Sequence, residues 1–274
     1  MEEENEELDN ELDAQINGQL SKLIVNDIGP YTCQLFKHDL VKKIVPFASG
    51  VLAELGGSYY ILTASHVTED WSNDNQLYVQ IHGGYMSVVG ETRGTEIEKS
   101  HKIDVAYIKL EDANVAQLKK GNKFLTIDRF KGYRNLIDSA DYCVFGYPTI
   151  NSERLEGKLK TEGAAYFLKP SKQKVLDYYG FDPLSHFLLE FKGKGVDIKT
   201  NETVKVKTQH YGLSGCGLWL TYLDHDGQKF TSEAKLIGIM TEFKRGKYDC
   251  LIGCKIEIIL LALRDFEGLK FRAK

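Results

Sequence analysis

The sequence predicts an all-β chain with a sizeable buried core, and one observation carries each half of that expectation. Short runs rich in Val, Ile, Tyr, Phe and Leu recur along most of its length, separated by turn residues. A chain of 274 residues with 42% hydrophobic content is also long enough to bury one large core or two linked ones. No internal repeat is visible.

Taken in order, the N-terminal stretch Met1 to Val25 is acidic, with no basic residue before Lys22. Leu8, Leu12, Ile16 and Leu20 recur every four residues, so it reads as a solvated tail or as an amphipathic helix that docks on the domain or on a partner. From residue 26 to about 135 come several short strands. Among them are Phe47-Ala48-Ser49-Gly50-Val51-Leu52, Tyr59-Tyr60-Ile61-Leu62-Thr63-Ala64 and Asp104-Val105-Ala106-Tyr107-Ile108-Lys109-Leu110. A second set begins near Asp138 and runs to about Gly253, with Val144-Phe145-Gly146-Tyr147-Pro148 early and Leu236-Ile237-Gly238-Ile239 late. Within it, Lys169 to His186, with Pro170 and Pro183 around a helical-looking middle, reads as an insertion at the border of a cleft. Ile256, Ile259, Leu260, Leu263 and Phe266 follow helical spacing and predict a C-terminal helix over about 255–267.

Three segments carry chemistry. His66 follows the buried run Ile61-Leu62-Thr63-Ala64, whose end offers a rigid support with small residues around the ring. Asp104 opens an apolar run, where a carboxylate can be shielded from water and still meet an imidazole N–H. Ser214 sits in Gly212-Leu213-Ser214-Gly215-Cys216-Gly217, where glycines permit a tight turn that converges backbone N–H groups on one point. A serine hydroxyl is a weak nucleophile until an imidazole takes its proton and a carboxylate fixes that imidazole's tautomer. Taken singly, His66 could be a surface or core histidine, Asp104 a capping carboxylate and the glycine run a hairpin.

In this order, with these flanks, the three segments resemble the trypsin-like (chymotrypsin-fold) serine peptidases. The resemblance covers roughly residues 30 to 265, closely only at the motifs. It implies two six-stranded antiparallel Greek-key β-barrels, the first over about 26–135 with His66 and Asp104, the second over about 136–253 with Ser214. The C-terminal helix then packs on the second barrel. In style the chain is similar to the Deg (high-temperature-requirement) proteases, whose Gly-Ser-Gly-Phe-type strand Phe47–Leu52 resembles. Within the family Ser214 would be the nucleophile, His66 the base and Asp104 its orienting partner. The N–H groups of Gly212 and Ser214 would form the oxyanion hole, with that of Leu213 nearby. Thr208 would floor the main substrate pocket, and Thr241, Glu242 and Phe243 would line its wall. A threonine floor argues against Lys or Arg substrates. Phe243 stands where trypsins have glycine, so the pocket narrows toward small or slender apolar side chains; Lys244 or Arg245 could instead favour acidic residues.

The chain departs from trypsins where Leu213 replaces the Asp before the serine and where no Ile-Val-Gly-Gly-type start is present. Activation by N-terminal cleavage is therefore not expected. Cys216 lies two residues past Ser214 and reads as a small buried side chain rather than a nucleophile. His210, four residues before Ser214, is a rival base in a poorer context.

A net charge of −4 gives no basic footprint for nucleic acid. The acidic N-terminus lacks a signal-peptide pattern, and no run approaches the ~18–20 apolar residues that span a bilayer. Five cysteines without an export signal read as reduced thiols in a cytoplasmic protein, and Cys250-x3-Cys254 without histidine partners reads as structural. The expectation is a serine endopeptidase that needs no metal or organic cofactor, acts on a protein or peptide and leaves room for a regulatory protein partner. A second reading keeps the same fold as a catalytically idle module that binds proteins.

Overall fold

The computed structural model describes residues 18–69, 71–72, 76–96, 102–132, 141–155, 158–191, 194–196, 203–205, 211–225 and 230–271. Its strands form two units. The first contains β1 (Thr32–His38), β2 (Ile44–Leu55), β3 (Ser58–Thr63), β4 (Tyr78–Ile81), β5 (Gly84–Ser87), β6 (Gly90–Gly94) and β7 (Ala106–Leu110). These make a seven-stranded antiparallel sheet in the order β5-β4-β1-β2-β3-β7-β6. The two edge strands are consecutive in the chain, separated only by Val88 and Val89. They act as one strand bent at a corner, and the chain itself joins the two edges of the sheet. That accounts for seven strands where six were expected. The buried Asn114 satisfies the corner: its Oδ1 accepts the Val89 N–H and its Nδ2 donates to the Ser87 carbonyl at 3.1 Å. A buried corner left with open backbone groups would be costly, and an amide side chain can serve donor and acceptor at once.

The second unit contains β8 (Asp141–Gly146), a β9–β10 hairpin (Ser152–Leu155 and Lys158–Thr161), β11 (Ala164–Pro170), β12 (His186–Glu190), a β13–β14 hairpin (Lys194–Val196 and Thr203–Lys205), β15 (Gly217–His225), β16 (Phe230–Lys244) and β17 (Cys250–Lys255). Six of them close a barrel in the order β11-β12-β17-β16-β15-β8.

Among the described residues, strand alternation sets the three largest of the four parts of the core; the fourth packs Val175, Leu176 and Phe181 against Leu188, Cys250 and Ile252. In β3, Ile61 points into the first unit with Leu35, Leu52 and Ile108, while Tyr60 and Leu62 point toward the second. In β8, Tyr142 and Val144 fill the second barrel with Leu189, Leu218 and Ile237, while Cys143 and Phe145 face back. The layer between the units is completed by both ends of the chain. Residues 18 to 28 are helical and bury Leu20, Leu23, Ile24 and Ile28; the last three join this layer. The remainder of the expected N-terminal tail or helix, residues 1–17, lies outside the described residues. The C-terminal helix, Ile256–Glu267, buries Ile256, Ile259 and Leu263 in the same layer.

That helix therefore contacts both units rather than the second alone. At its end, Glu267 Oε2 accepts from Lys109 Nζ at 2.7 Å and Oε1 accepts from the Tyr107 hydroxyl at 2.9 Å, both donors on β7. A parallel tie fixes the N-terminal helix. Asp27 Oδ2 accepts from Arg129 Nη2 at 2.8 Å and from the Ala234 N–H at 2.9 Å, and Arg129 also donates to the Ala234 carbonyl. The hydrogen bond from Lys109 holds the Glu267 carboxyl below its ordinary value, against the opposing effect of burial. A depressed carboxyl stabilises the fold above its unfolded-state pKa, and that contribution disappears as pH falls through the folded value. Glu267→Gln should therefore cost about 1–2 kcal/mol in urea unfolding at pH 7, with the gap to wild type closing on acidification. A gap that persists at pH 3 would show that packing, not the charge, carries the contact.

Candidate active site

β3 ends at Thr63, and the chain turns at Ala64 into a single helical turn, Ser65–Thr68, that carries His66. Asp104 immediately precedes β7 and is 8% exposed. The two residues meet twice. His66 Nδ1 lies 2.7 Å from Asp104 Oδ2, and the His66 backbone N–H donates to Oδ1 at 3.0 Å. With the carboxylate accepting, the proton sits on Nδ1 and the other ring nitrogen, Nε2, is left as a base. Burial pushes the imidazole's pKa down, but the hydrogen bond and charge of Asp104 outweigh it, and the net shift is upward from 6.5.

Neighbours hold the aspartate from both sides. Thr95 Oγ1 donates to the Ile103 carbonyl at 2.6 Å and accepts the Val105 N–H at 3.2 Å, and Ser65 Oγ donates to the Thr95 carbonyl. The Asp104 N–H donates to Cys254 Sγ at 3.4 Å. Burial pushes that thiol up to about 12, so it stays neutral beside the carboxylate. Upstream, Lys102 adopts a left-handed backbone conformation (φ 67°). Its Nζ donates to the carbonyls of Tyr179 and Gly180, at 2.8 and 3.1 Å. The buried His186 donates from Nε2 to the Lys102 carbonyl at 3.1 Å, and burial favours its neutral form. The insertion, which includes the helix Gln173–Tyr179, is thereby pinned to the segment that carries Asp104.

Ser214 occupies the turn between Tyr211 and β15. Gly212 and Gly215 hold φ of +95° and +84°, a region L side chains rarely adopt. A Cβ at Gly215 would also collide with Thr63 Oγ1 and the Ser49 carbonyl. Three peptide planes in the turn are fixed by their carbonyls. Tyr211 O accepts from the Thr149 N–H at 2.7 Å, Gly212 O from Ser49 Oγ at 2.7 Å and Leu213 O from the Cys216 N–H at 2.9 Å. In planar trans peptides the next N–H points the opposite way. Among the described residues, no acceptor takes the N–H of Gly212, Leu213 or Ser214. Unspent donors in the turn that carries a serine hydroxyl suit an anion.

His66, Asp104, Gly212 and Ser214 line one cleft of about 1300 Å³. Within it the Ser214 hydroxyl donates to the Thr241 carbonyl at 3.4 Å, and no hydrogen bond links it to His66. Thr241, Glu242 and Phe243 lie along the same cleft, on the part of β16 beyond its ladder with β15, which begins at Gly217↔Ile239. Phe243 stacks edge-on against Phe191 at 5.3 Å, and Phe191 against Tyr166 at 5.7 Å. Thr208 and His210 lie outside the described residues. Cys216 is fully buried, and burial raises its thiol pKa, which suits packing and not nucleophilic attack.

Some cleft residues carried little signal in the sequence. Tyr178, Tyr179 and Phe181 of the insertion, together with Lys102, reach the cleft wall. The sequence put the insertion at the border of a cleft but did not single out these aromatic residues or Lys102 as its wall.

No family model matches the sequence, and no curated protein matches it. Among solved structures, the fold is similar to that of a scabies mite inactivated protease paralogue. The TM-score is 0.55 at 16% sequence identity, covering 88% of this chain and 95% of the other. Likeness at that identity speaks for the trypsin-like two-barrel fold.

Proposed function

We propose that the chain is a serine endopeptidase acting through His66, Asp104 and Ser214. The observation that carries this reading is the His66–Asp104 pair, bonded at 2.7 Å, in one cleft with a serine whose turn keeps its N–H groups unspent. Ser214 Oγ turns from the Thr241 carbonyl to His66 Nε2 and attacks the substrate carbonyl as the imidazole takes its proton. Asp104 stabilises the imidazolium, and the N–H groups of Gly212 and Ser214 receive the oxyanion. His66 returns the proton to the departing amine, and water activated by the same ring releases the acyl group. Phe243, packed on Phe191, favours small or slender apolar side chains in the main pocket. The finer kinship, to Deg-type proteases, rests on the motifs Phe47–Leu52 and Val144–Pro148. Five buried free thiols fit work in a reducing, cytoplasmic setting.

A second reading, a binding module without catalysis, is favoured by one observation: the Ser214 hydroxyl bonds to a carbonyl and not to the imidazole. A fluorophosphonate probe separates the two, because it reacts only with a serine the base has activated. Labelling of wild type that vanishes in Ser214→Ala is the expected result, with cleavage of a peptide library to follow. Wild-type protein that resists the probe, alone and with candidate partners, would leave the binding module.

A further inference from the structure

Ser49 lies in β2 of the first unit, yet it grips the serine turn of the second. It is fully buried, at 0% exposure. Its Oγ donates to the Gly212 carbonyl at 2.7 Å and accepts the Tyr147 N–H at 3.0 Å. Its backbone N–H donates to the Ser214 carbonyl at 2.9 Å, and its own carbonyl accepts from Thr63 Oγ1 at 2.9 Å. One residue thus holds the carbonyls on either side of Leu213. The side-chain bond matters because Gly212, at φ +95°, has the backbone freedom to let the adjoining peptide rotate. Rotation of the 212–213 peptide would put a carbonyl where the Leu213 N–H now is, between the residues whose N–H groups are to receive the oxyanion, and would disturb the peptides on both sides of it. Gly146 leaves the space: a Cβ there would sit 3.0 Å from Ser49 Oγ and 2.7 Å from the Cys216 Cβ.

We propose that Ser49 is a positioning residue whose hydroxyl, through the Gly212 carbonyl, locks the turn that presents N–H groups to the oxyanion. Its catalytic consequence rests on the peptidase reading above, but the order of the turn can be measured without turnover. The variants are Ser49→Ala, which removes the donor, and Ser49→Cys, which keeps the size but donates weakly. The first readout is hydrogen exchange of the Cys216 amide, which donates to the Leu213 carbonyl across the turn. It should exchange about tenfold faster in both variants, while the amides of β12 are unchanged. The second readout is hydrolysis. Because oxyanion donors act in the transition state, kcat should fall by about 10–100-fold with KM changed less than about twofold.

Unchanged Cys216 exchange in a folded variant overturns the proposal, as does wild-type kcat in both variants alongside an inactive Ser214→Ala. If wild-type protein hydrolyses nothing and resists the probe, the peptidase reading fails, and exchange alone decides the role of Ser49. Should Ser49→Ala fail to fold, Ser49→Cys carries the same comparisons.

Discussion

His66→Ala and Ser214→Ala should each lower kcat for peptide hydrolysis by about 10⁴-fold or more, and the double variant should fall little further than the worse single one. The expectation follows from how the hydroxyl becomes reactive. Without the ring, the Ser214 proton has no acceptor, and the Thr241 carbonyl, which holds it at 3.4 Å, is too weak a base to remove it. Without the hydroxyl, the ring has nothing to activate. Either loss removes the same step, so the effects do not add. Some acceleration should survive in all three variants, because the unspent N–H groups of the Gly212–Ser214 turn still polarise a bound carbonyl. Steady-state kinetics on one peptide measures this directly. A His66→Ala variant that keeps near-normal turnover removes the ring from the mechanism.

The second large effect is expected from Asp104→Asn, at about 10⁴-fold in kcat with little change in fold. In the native protein Oδ1 accepts the His66 backbone N–H and Oδ2 faces Nδ1. An asparagine that keeps its oxygen on the backbone N–H must turn its NH₂ toward Nδ1. That nitrogen then has to accept, the proton moves to Nε2, and the base is lost. The imidazole pKa should also move in a defined direction. Burial lowers it, and the Asp104 bond and charge raise it above 6.5. On the proposed mechanism, activity needs the neutral ring and should fall as pH drops through this raised value. Removing the carboxylate leaves burial opposed only by the smaller effects of the Glu69 and Glu242 charges, so the His66 titration followed by NMR should shift to lower pH. An unchanged titration would mean that Asp104 does not set the charge state of the ring.

The residues that meet at the site were legible because their local settings are distinctive in one dimension. His66 stands past a strand of β-branched and aromatic residues, Asp104 opens another, and Ser214 sits in a run whose glycines take positive φ. Their order gave the two-barrel fold. The strand count of the first unit was less visible, since the bend at Val88–Val89 that splits one strand in two depends on Asn114, 25 residues further along the chain. The double role of the C-terminal helix was also hidden. Its apolar stripe predicts burial but not that Glu267 meets Tyr107 and Lys109, which lie about 160 residues earlier.

By itself, then, the amino-acid order marked out three candidate side chains for acyl-transfer chemistry and the segments that would be strands, because periodicity, β-propensity and glycine placement are local properties. Only the folded chain decided how those groups are held. That the Ser214 hydroxyl rests on Thr241, that Thr95 and Cys254 brace Asp104, and that Ser49 of one unit orients a turn of the other all depend on contacts between distant segments. The reason is physical: a buried polar group takes whatever partner packing brings within about 3 Å, and packing is settled by the whole core at once.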